Sequence, residues 1–494
     1  MKNSLKFEQD KYEIRNINDV YFRAYENICY CENPVDDIQR MNIYVPERYY
    51  HEAAKKNEVW SRFDWKKFDG LDVDSPGTKL KKYNIHSAPI FMPNTVGGYM
   101  PGLAATPENN NTVLRALEHG YVVVCVGIRG SSSYSKDKGY TGKAPALVVD
   151  MKAAIRYLRY NKEVIPGNVE RIITSGTSAG GALSALTGAS GNQEEYLPYL
   201  KAIGAADEQD HIFAANCYCP IINLENADTA YEWQFDGIYN YHQMRYVKKD
   251  GNGSWIPIEA KMSDKQMRFS KELKKEFPTY VNSLKLQDKE ENYLTLDENG
   301  EGSFAEYVKK QIIKSAQKEL ETHDSANRLS GLAVKGSLVE EQEYLTIENG
   351  MVTGIDWKGF LEKISRMKIA PAFDSTNLQS PENAVFGTKE GQNRHFTTFG
   401  AEHSDERFCY IAEPEQVRLT NPMSFVKNPY TRHWRIRHGA YDRDTSFAIS
   451  AMFALLLEMN GKQVDYHLPW GLPHSGDYDL EELFQWIDCI SFGK

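Results

Sequence analysis

The sequence predicts an α/β fold, a parallel sheet flanked by helices and broken by one large insertion. Two observations carry that prediction. Between residues 85 and 222, apolar strand-like runs alternate with amphipathic stretches of helical length, a pattern that builds parallel sheets with right-handed crossovers. The same alternation resumes after residue 418, so one sheet is assembled from two separated parts of the chain.

The elements follow in order. SAPIFMPN (87–94) reads as a strand, NTVLRALEHG (111–120) as a helix closed by glycine, and YVVVCVGIRG (121–130) as a buried strand. ALVVDMKAAIRYLRYN (146–161) has helical period; RIITS (171–175) is a strand with a helix from Ala179, and HIFAANCYCPIIN (211–223) is a further strand. From residue 223 the character changes. NADTAYEWQFDGIYNYHQMRYVKK (226–249) is dense in aromatics without a clear period, and a lysine- and glutamate-rich region with helix signals comes next. Ser303 and Glu306 predict a capping box, Asn349-Gly350 a hairpin turn, and Asp356 the cap of a helix over DWKGFLEKISRMK (356–368). The core pattern then returns with a strand in RHWRIRHG (432–439), a helix in SFAISAMFALLLEMNG (446–461), a strand in VDYHLPW (464–470) and a closing helix in DLEELFQWIDCI (479–490). The expected division is a core over 1–222 and 419–494 with a lid inserted over 223–418, since a stretch that long with its own elements is more than a loop.

Composition excludes several classes of partner. A net charge of -10 and a pI near 5.7 argue against nucleic acid or an anionic membrane surface. No window approaches the roughly 18 uninterrupted apolar residues of a membrane span, and MKNSLKFEQDKYEIRN lacks the apolar core of a secretory signal. The expectation is a cytoplasmic protein, or an exported one whose leader has been removed. Seven cysteines are scattered without C-x-x-C spacing, which predicts reduced, mostly buried thiols and no zinc site.

The chemistry is concentrated in RIITSGTSAGGALSAL (171–186). G-x-S-x-G alone is weak, since glycine and serine at about 7% each produce it by chance in roughly one chain in six of this length. A strand before it and a helix after it sharpen the signal, because small neighbours then permit the tight turn that lifts a serine hydroxyl above a sheet. That is the nucleophile turn of the α/β-hydrolase fold. Serine needs a base to take its proton and a third group to orient the base, in the chain order Ser, acid, His. Strand 432–439 runs into AYDRD, which offers Asp442 and Asp444, and the loop after strand 464–470 offers His474. Spacing alone leaves either aspartate as the orienting acid. His438 and His467 read as structural. Two backbone N–H groups should hold the oxyanion, one from Ala179 and one from Gly97 or Gly98 in NTVGGYMPG (94–102).

Together these residues resemble the bacterial (subtype B) tannases, gallate-ester hydrolases. The resemblance covers most of the chain: NTVGGYMPG, GTSAGG, the large insertion, KIAPAFDSTNLQSPENAVFG (368–387), HGAYDRD (438–444) and GLPHSGD (471–477). It implies a triad of Ser178, Asp442 and His474, with Asp444, Lys368 and Glu382 holding the hydroxyls of a galloyl ring. It also implies Pro381 and an isoleucine, Ile221 or Ile222, sandwiching that ring. The residue types suit a small galloyl ester: carboxylates accept from phenols and a lysine donates to a phenolic oxygen. Each has a plainer reading alone, Lys368 as a helix end, Glu382 as a solvated acid and Asp444 as a helix cap. Two other functions compete, a feruloyl or general carboxylesterase of the same fold, and an inactive scaffold that binds polyphenols or a protein. No metal or organic cofactor is expected, and no feature of the sequence sets an oligomeric state.

Overall fold

In a computed structural model, residues 2–50, 83–249, 252–322 and 332–492 are described. Nine strands make the central sheet: β1 (Glu13–Ile17), β2 (Val20–Cys29), β3 (Arg40–Pro46), β4 (Pro89–Pro93), β5 (Val122–Val126), β6 (Asn168–Thr177), β7 (Ala214–Tyr218), β8 (His433–Arg437) and β9 (Gln463–His467). They lie in the order β1-β2-β3-β5-β4-β6-β7-β8-β9. From β5 to β9 every pairing is parallel, and β1, β2 and β3 add an antiparallel edge. This is the α/β-hydrolase fold.

Burial explains the strands. Every residue of β4, β5 and β7 is buried, so these runs are apolar but for Asn216, as in a sheet covered on both faces. The covering helices are α1 (Asn111–His119), α2 (Ala146–Tyr160), α3 (Ala179–Ala189), α8 (Phe447–Met459) and α9 (Leu480–Phe492). Helix α1 starts on an Asn110 cap and ends at Gly120 in the left-handed region, φ 106°, a conformation that costs glycine least. Helix α8 is buried from Phe447 to Leu457, which accounts for its apolar run.

Between β7 and β8 lie α4 (Leu224–Gln234), α5 (Asp264–Ser283), α6 (Ser303–Thr322) and α7 (Trp357–Ile364), with hairpins over Asn240–Lys249/Asn252–Lys261 and Leu345–Glu348/Met351–Ile355. None of the described residues in this stretch adds a strand to the central sheet. The second hairpin turns at Asn349 and Gly350, both at positive φ, as the sequence predicts. Asp356 caps α7 by accepting from the Gly359 N–H.

Three expectations are corrected. Ser303 heads no capping box: it is the first residue of α6, its hydroxyl accepts from the Thr295 N–H at 2.9 Å, and the Glu306 N–H goes to the Gly302 carbonyl. The box forms instead at Ser263 and Gln266, at the head of α5. Helix α7 stops at Ile364, so Lys368 ends no helix. The aromatic run from Asn226 is not irregular, for it holds most of α4 and then a strand. The cysteines are all free thiols, four of them buried.

Helix α2 is tied beneath the sheet by Asp210, whose carboxylate meets Lys152 Nζ at 2.8 Å and an Arg156 guanidinium nitrogen at 2.7 Å, all three side chains being buried. Asp210→Ala strands two buried cations, and a loss of about 3–5 kcal/mol is expected. Thermal unfolding followed by circular dichroism measures it; an unchanged midpoint would show the charges to be compensated elsewhere.

Candidate active site

Strand β6 ends at Thr177 and α3 begins at Ala179, leaving Ser178 alone at the junction with φ 62° and ψ −124°. A non-glycine residue held there costs about 1–3 kcal/mol. The surrounding backbone holds it. The Ser178 N–H donates to the Tyr218 carbonyl at 2.9 Å, and the Ser178 carbonyl accepts from Ala182 at 2.9 Å and Ile221 at 3.3 Å. The flanking glycines are there for space. A Cβ on Gly176 would lie 2.4 Å from the Gly180 carbonyl oxygen, and one on Gly180 would lie 2.7 Å from the Val96 carbonyl oxygen. Asn94, at the end of β4, locks the loop onto this turn by donating from its side chain to the Ser175 and Gly180 carbonyls at 2.9 and 3.0 Å.

Ala179 is the first residue of α3, so its N–H is among those that a helix leaves without an internal partner. Gly97 and Gly98 lie in the locked loop, Gly98 at φ 53°, and a Cβ on either would meet nothing within 4 Å. Open space therefore borders this loop. Tyr99 fixes the far end, donating from its hydroxyl to the Ile221 carbonyl at 2.6 Å.

Asp442, fully buried, accepts from His474 Nδ1 at 2.7 Å. His438 Nε2 lies 3.2 Å from the same oxygen, off the line of a hydrogen bond, while its Nδ1 meets Ser450 Oγ at 2.8 Å. The His474 loop folds back onto the serine turn, for a Cβ on Gly476 would lie 1.9 Å from Thr177 Oγ1. Ser178 Oγ makes no hydrogen bond among the described residues; in an unliganded site such contacts often close only with substrate. Burial works against charge on both partners, but each outweighs it for the other: Asp442 is held well below the ordinary carboxylate range, and Asp442 and Cys219 hold His474 above the ordinary histidine value.

Asp444 faces elsewhere. Its N–H donates to Asp442 Oδ1 at 2.7 Å, while its carboxylate lies 3.3 Å from Lys368 Nζ. Ser446, not Asp444, caps the helix that follows. Lys368 Nζ also sits 4.0 Å above the Phe373 ring. Burial opposes the Lys368 charge, but Asp444 and Glu382 more than offset it and raise the amine above its usual value. Glu382 is buried, and burial pushes its carboxyl up, with Lys368 pulling the other way. Pro381 is exposed beside it, at the start of a short helix capped by Ser380. Ile221 and Ile222 are both buried, Ile221 being the one bonded to Ser178.

Several supporting residues carry no signal in the sequence. Tyr231 on α4 accepts from the Met367 and Lys368 N–H groups at 3.0 and 3.1 Å and donates to the Arg443 carbonyl at 2.8 Å. One hydroxyl thus bridges the strand end carrying Asp442 and Asp444 to the segment carrying Lys368. One residue along α4, Glu232 pairs with Arg366 at 2.5 and 3.0 Å, both fully buried, and Arg366 Nε donates to the Lys368 carbonyl at 2.8 Å. Asp228, a turn earlier, accepts from the Phe373 and Asp374 N–H groups at 2.7 and 3.0 Å; burial pushes its carboxyl up to about 7. The only trace of this brace in the sequence is polar residues inside an aromatic run, a pattern compatible with many structures.

Comparison with known proteins places the chain in context. The BD-FAE family, an α/β-hydrolase family, matches residues 82–250. The chain is similar to the tannase of Lactobacillus plantarum, with 40% identity, a TM-score of 0.86, and coverage of 99% of this chain and 100% of that one. It is similar to the tannase of Fusobacterium nucleatum at 42% identity, TM-score 0.86 and 99% coverage of each chain. A tannin acyl hydrolase in complex with ethyl gallate matches at 40% identity and TM-score 0.85, again over 99% of each chain. Esterase LipQ of Mycobacterium tuberculosis is 30% identical over 165 residues, 33% of this chain and 36% of that protein. That match spans about a third of the curated relative.

Tyr231→Phe removes the bridging hydroxyl and leaves two N–H groups and one carbonyl without it. A stability loss of about 1–3 kcal/mol per group left buried and unpaired is expected, together with a Michaelis constant for an ester substrate raised several-fold. Denaturant unfolding and steady-state kinetics read the two effects; native values for both would show the bridge to be dispensable.

Proposed function

The chain belongs to the bacterial tannase family, and from that membership we propose that it hydrolyses galloyl esters of tannins and simple gallates through an acyl-enzyme on Ser178. His474 takes the proton from Ser178 Oγ as the hydroxyl attacks the ester carbonyl. Asp442 holds the imidazole by its Nδ1 and steadies the charge it gains. The carbonyl oxygen, now anionic, is met by the N–H of Ala179 and that of Gly97 or Gly98; losing one such donor costs about 3–4 kcal/mol of barrier. His474 returns the proton to the departing alcohol, and water, activated by the same base, releases gallic acid. The observation that supports this reading most is the 2.7 Å contact between Asp442 and His474, on a loop packed against the residue before Ser178.

Acyl selection falls to the neighbouring cluster in this reading. Asp444 and Glu382 accept from the phenol hydroxyls, Lys368 donates to a phenolic oxygen, and the flat ring lies between Pro381 and Ile221. Ile221 is favoured over Ile222 because its N–H bonds the Ser178 carbonyl. The stretch 223–418 then acts as the lid that reads the acyl group while the core does the chemistry. Polar groups left without hydroxyl partners, the buried Glu382 above all, penalise the wrong ring, by up to about 10⁴–10⁵-fold.

Ser178→Ala is expected to fold normally and to turn over no methyl gallate. For the native protein, methyl gallate should exceed methyl benzoate and methyl ferulate by orders of magnitude in kcat/KM; comparable rates on all three would favour a general carboxylesterase or feruloyl esterase. Hydrolysis also needs a neutral His474. Since Asp442 and Cys219 raise its pKa above 6.5, kcat/KM should climb with pH along a limb whose midpoint lies above that value. A midpoint below it in the pH–rate profile would show that burial wins over the carboxylate.

A further inference from the structure

Cys219 is a buried thiol that makes or breaks no bond in the hydrolytic mechanism. It follows β7 directly at φ 42°, with its N–H donated to the Arg437 carbonyl at 2.7 Å. Its Sγ donates to the carbonyl of Ser475, the residue after His474, at 3.4 Å. Its sulfur, one ring nitrogen of His474 and one carboxylate oxygen of Asp442 all lie within 4.8 Å of one another. We propose that these three side chains form a site for a thiophilic divalent cation, zinc or cadmium, whose binding reversibly shuts off hydrolysis. The inhibition half of this proposal rests on the triad reading above; the binding half does not.

The donor set is the one such cations take. Thiolate, imidazole and carboxylate bind zinc at about 2.3, 2.0–2.1 and 2.0–2.2 Å, and three protein ligands leave a tetrahedral ion one position for water. Two ligands at those distances stand roughly 3.3–3.6 Å apart at the tetrahedral angle. From a spread of at most 4.8 Å the sulfur draws in toward the other two, while Asp442 and His474 Nδ1, 2.7 Å apart, separate slightly if that nitrogen is the ligand. Charge balances as well: a dication meets one thiolate and one carboxylate, so the buried site becomes neutral. On binding, the thiol and a protonated His474 give their protons to solvent, the imidazole ligates in its neutral form, and Asp442 is already ionised. Burial and the nearby Asp442 keep the thiol protonated in the resting protein, which keeps it silent until a cation displaces the proton. Cys219 and Asp442 are wholly buried, whereas the His474 side chain is 19% exposed, so the ion enters by the face that substrate uses. Either nitrogen serves inhibition. Bound at Nε2, the imidazole can take no proton from Ser178; bound at Nδ1, it loses Asp442.

The experiment separates binding from turnover. Full-length Ser178→Ala protein is titrated with cadmium chloride while thiolate-to-cadmium charge-transfer absorbance is followed. One band is expected. Cys219→Ser should abolish it, His474→Gln should weaken the affinity by at least about ten-fold, and the Cys29→Ser/Cys31→Ser protein should keep it. Circular dichroism checks that each variant is folded, and Cys219→Ala replaces the serine variant if that one is not. In the active protein, zinc chloride should inhibit ester hydrolysis, EDTA should restore it, and Cys219→Ser should raise the half-inhibitory zinc concentration at least ten-fold relative to its own uninhibited rate. A band that survives loss of Cys219, or that disappears with Cys29 and Cys31, overturns the proposal. Equal zinc inhibition with and without Cys219 overturns it too. If the cadmium band depends on Cys219 but no galloyl ester is cut, the functional reading fails and the metal site stands.

Discussion

The structure turns on one backbone constraint, the left-handed conformation at Ser178. A serine at φ 62° persists only where its neighbours over-determine it, and here they do. Its N–H and carbonyl are both committed, to Tyr218 on one side and to Ala182 and Ile221 on the other. Gly176 and Gly180 bring two backbone segments closer than any side chain allows. Asn94 then binds the β4 loop to the same turn. One strained residue therefore sets the positions of the Ser178 hydroxyl, the first N–H of α3, the glycine loop and Ile221.

A second economy lies in the turn Asp442-Arg443-Asp444. Two carboxylates, two residues apart, face different partners: Asp442 meets His474, and Asp444 meets Lys368. They are not independent, for the Asp444 N–H bonds the Asp442 carboxylate and the Arg443 carbonyl accepts from Tyr231. The distance from the acid–base pair to the Lys368 cluster is set by one turn and one hydroxyl. The Glu232–Arg366 pair behind them is wholly buried. Such a pair often adds little stability over apolar packing, so its value here lies in aim: Arg366 is what grips the Lys368 carbonyl.

Much of this was legible in the residues, and the exceptions have physical causes. The inner strands β4 and β5 could be read because burial on both faces makes them apolar throughout, as in VVVCV. Ser178, the paired aspartates and His474 could be read because the fold fixes their order along the chain. The choice between Asp442 and Asp444 could not, since spacing says nothing of which way a side chain points once a turn intervenes. Strand β2 shows as strand-like only near Cys29, because a bulge between Tyr25 and Ile28, with Asn27 at φ 61°, breaks its alternation. Helix α4 escaped because it is buried around most of its circumference with Asp228, Glu232 and Gln234 inside, so no polar face marks its period. The Ser303 capping box failed for a local reason, the prior claim of Thr295 on the hydroxyl.

The packing between insertion and sheet bears on how acyl selection could work. Phe360 of α7 stacks on Phe447 of α8 and on Trp470, which precedes the His474 loop. Tyr344 meets the hydroxyl of Tyr441, the residue before Asp442, at 2.7 Å. Apolar residues of the insertion belong to the same buried cluster as those of the sheet. A wall joined in this way cannot shift without opening core, and a core void costs on the order of several kcal/mol. Recognition of an acyl group by Lys368, Glu382 and Asp444 would then act through a site already shaped, with the energy of each hydroxyl contact going into orientation of the ester carbonyl rather than into closing a loose domain.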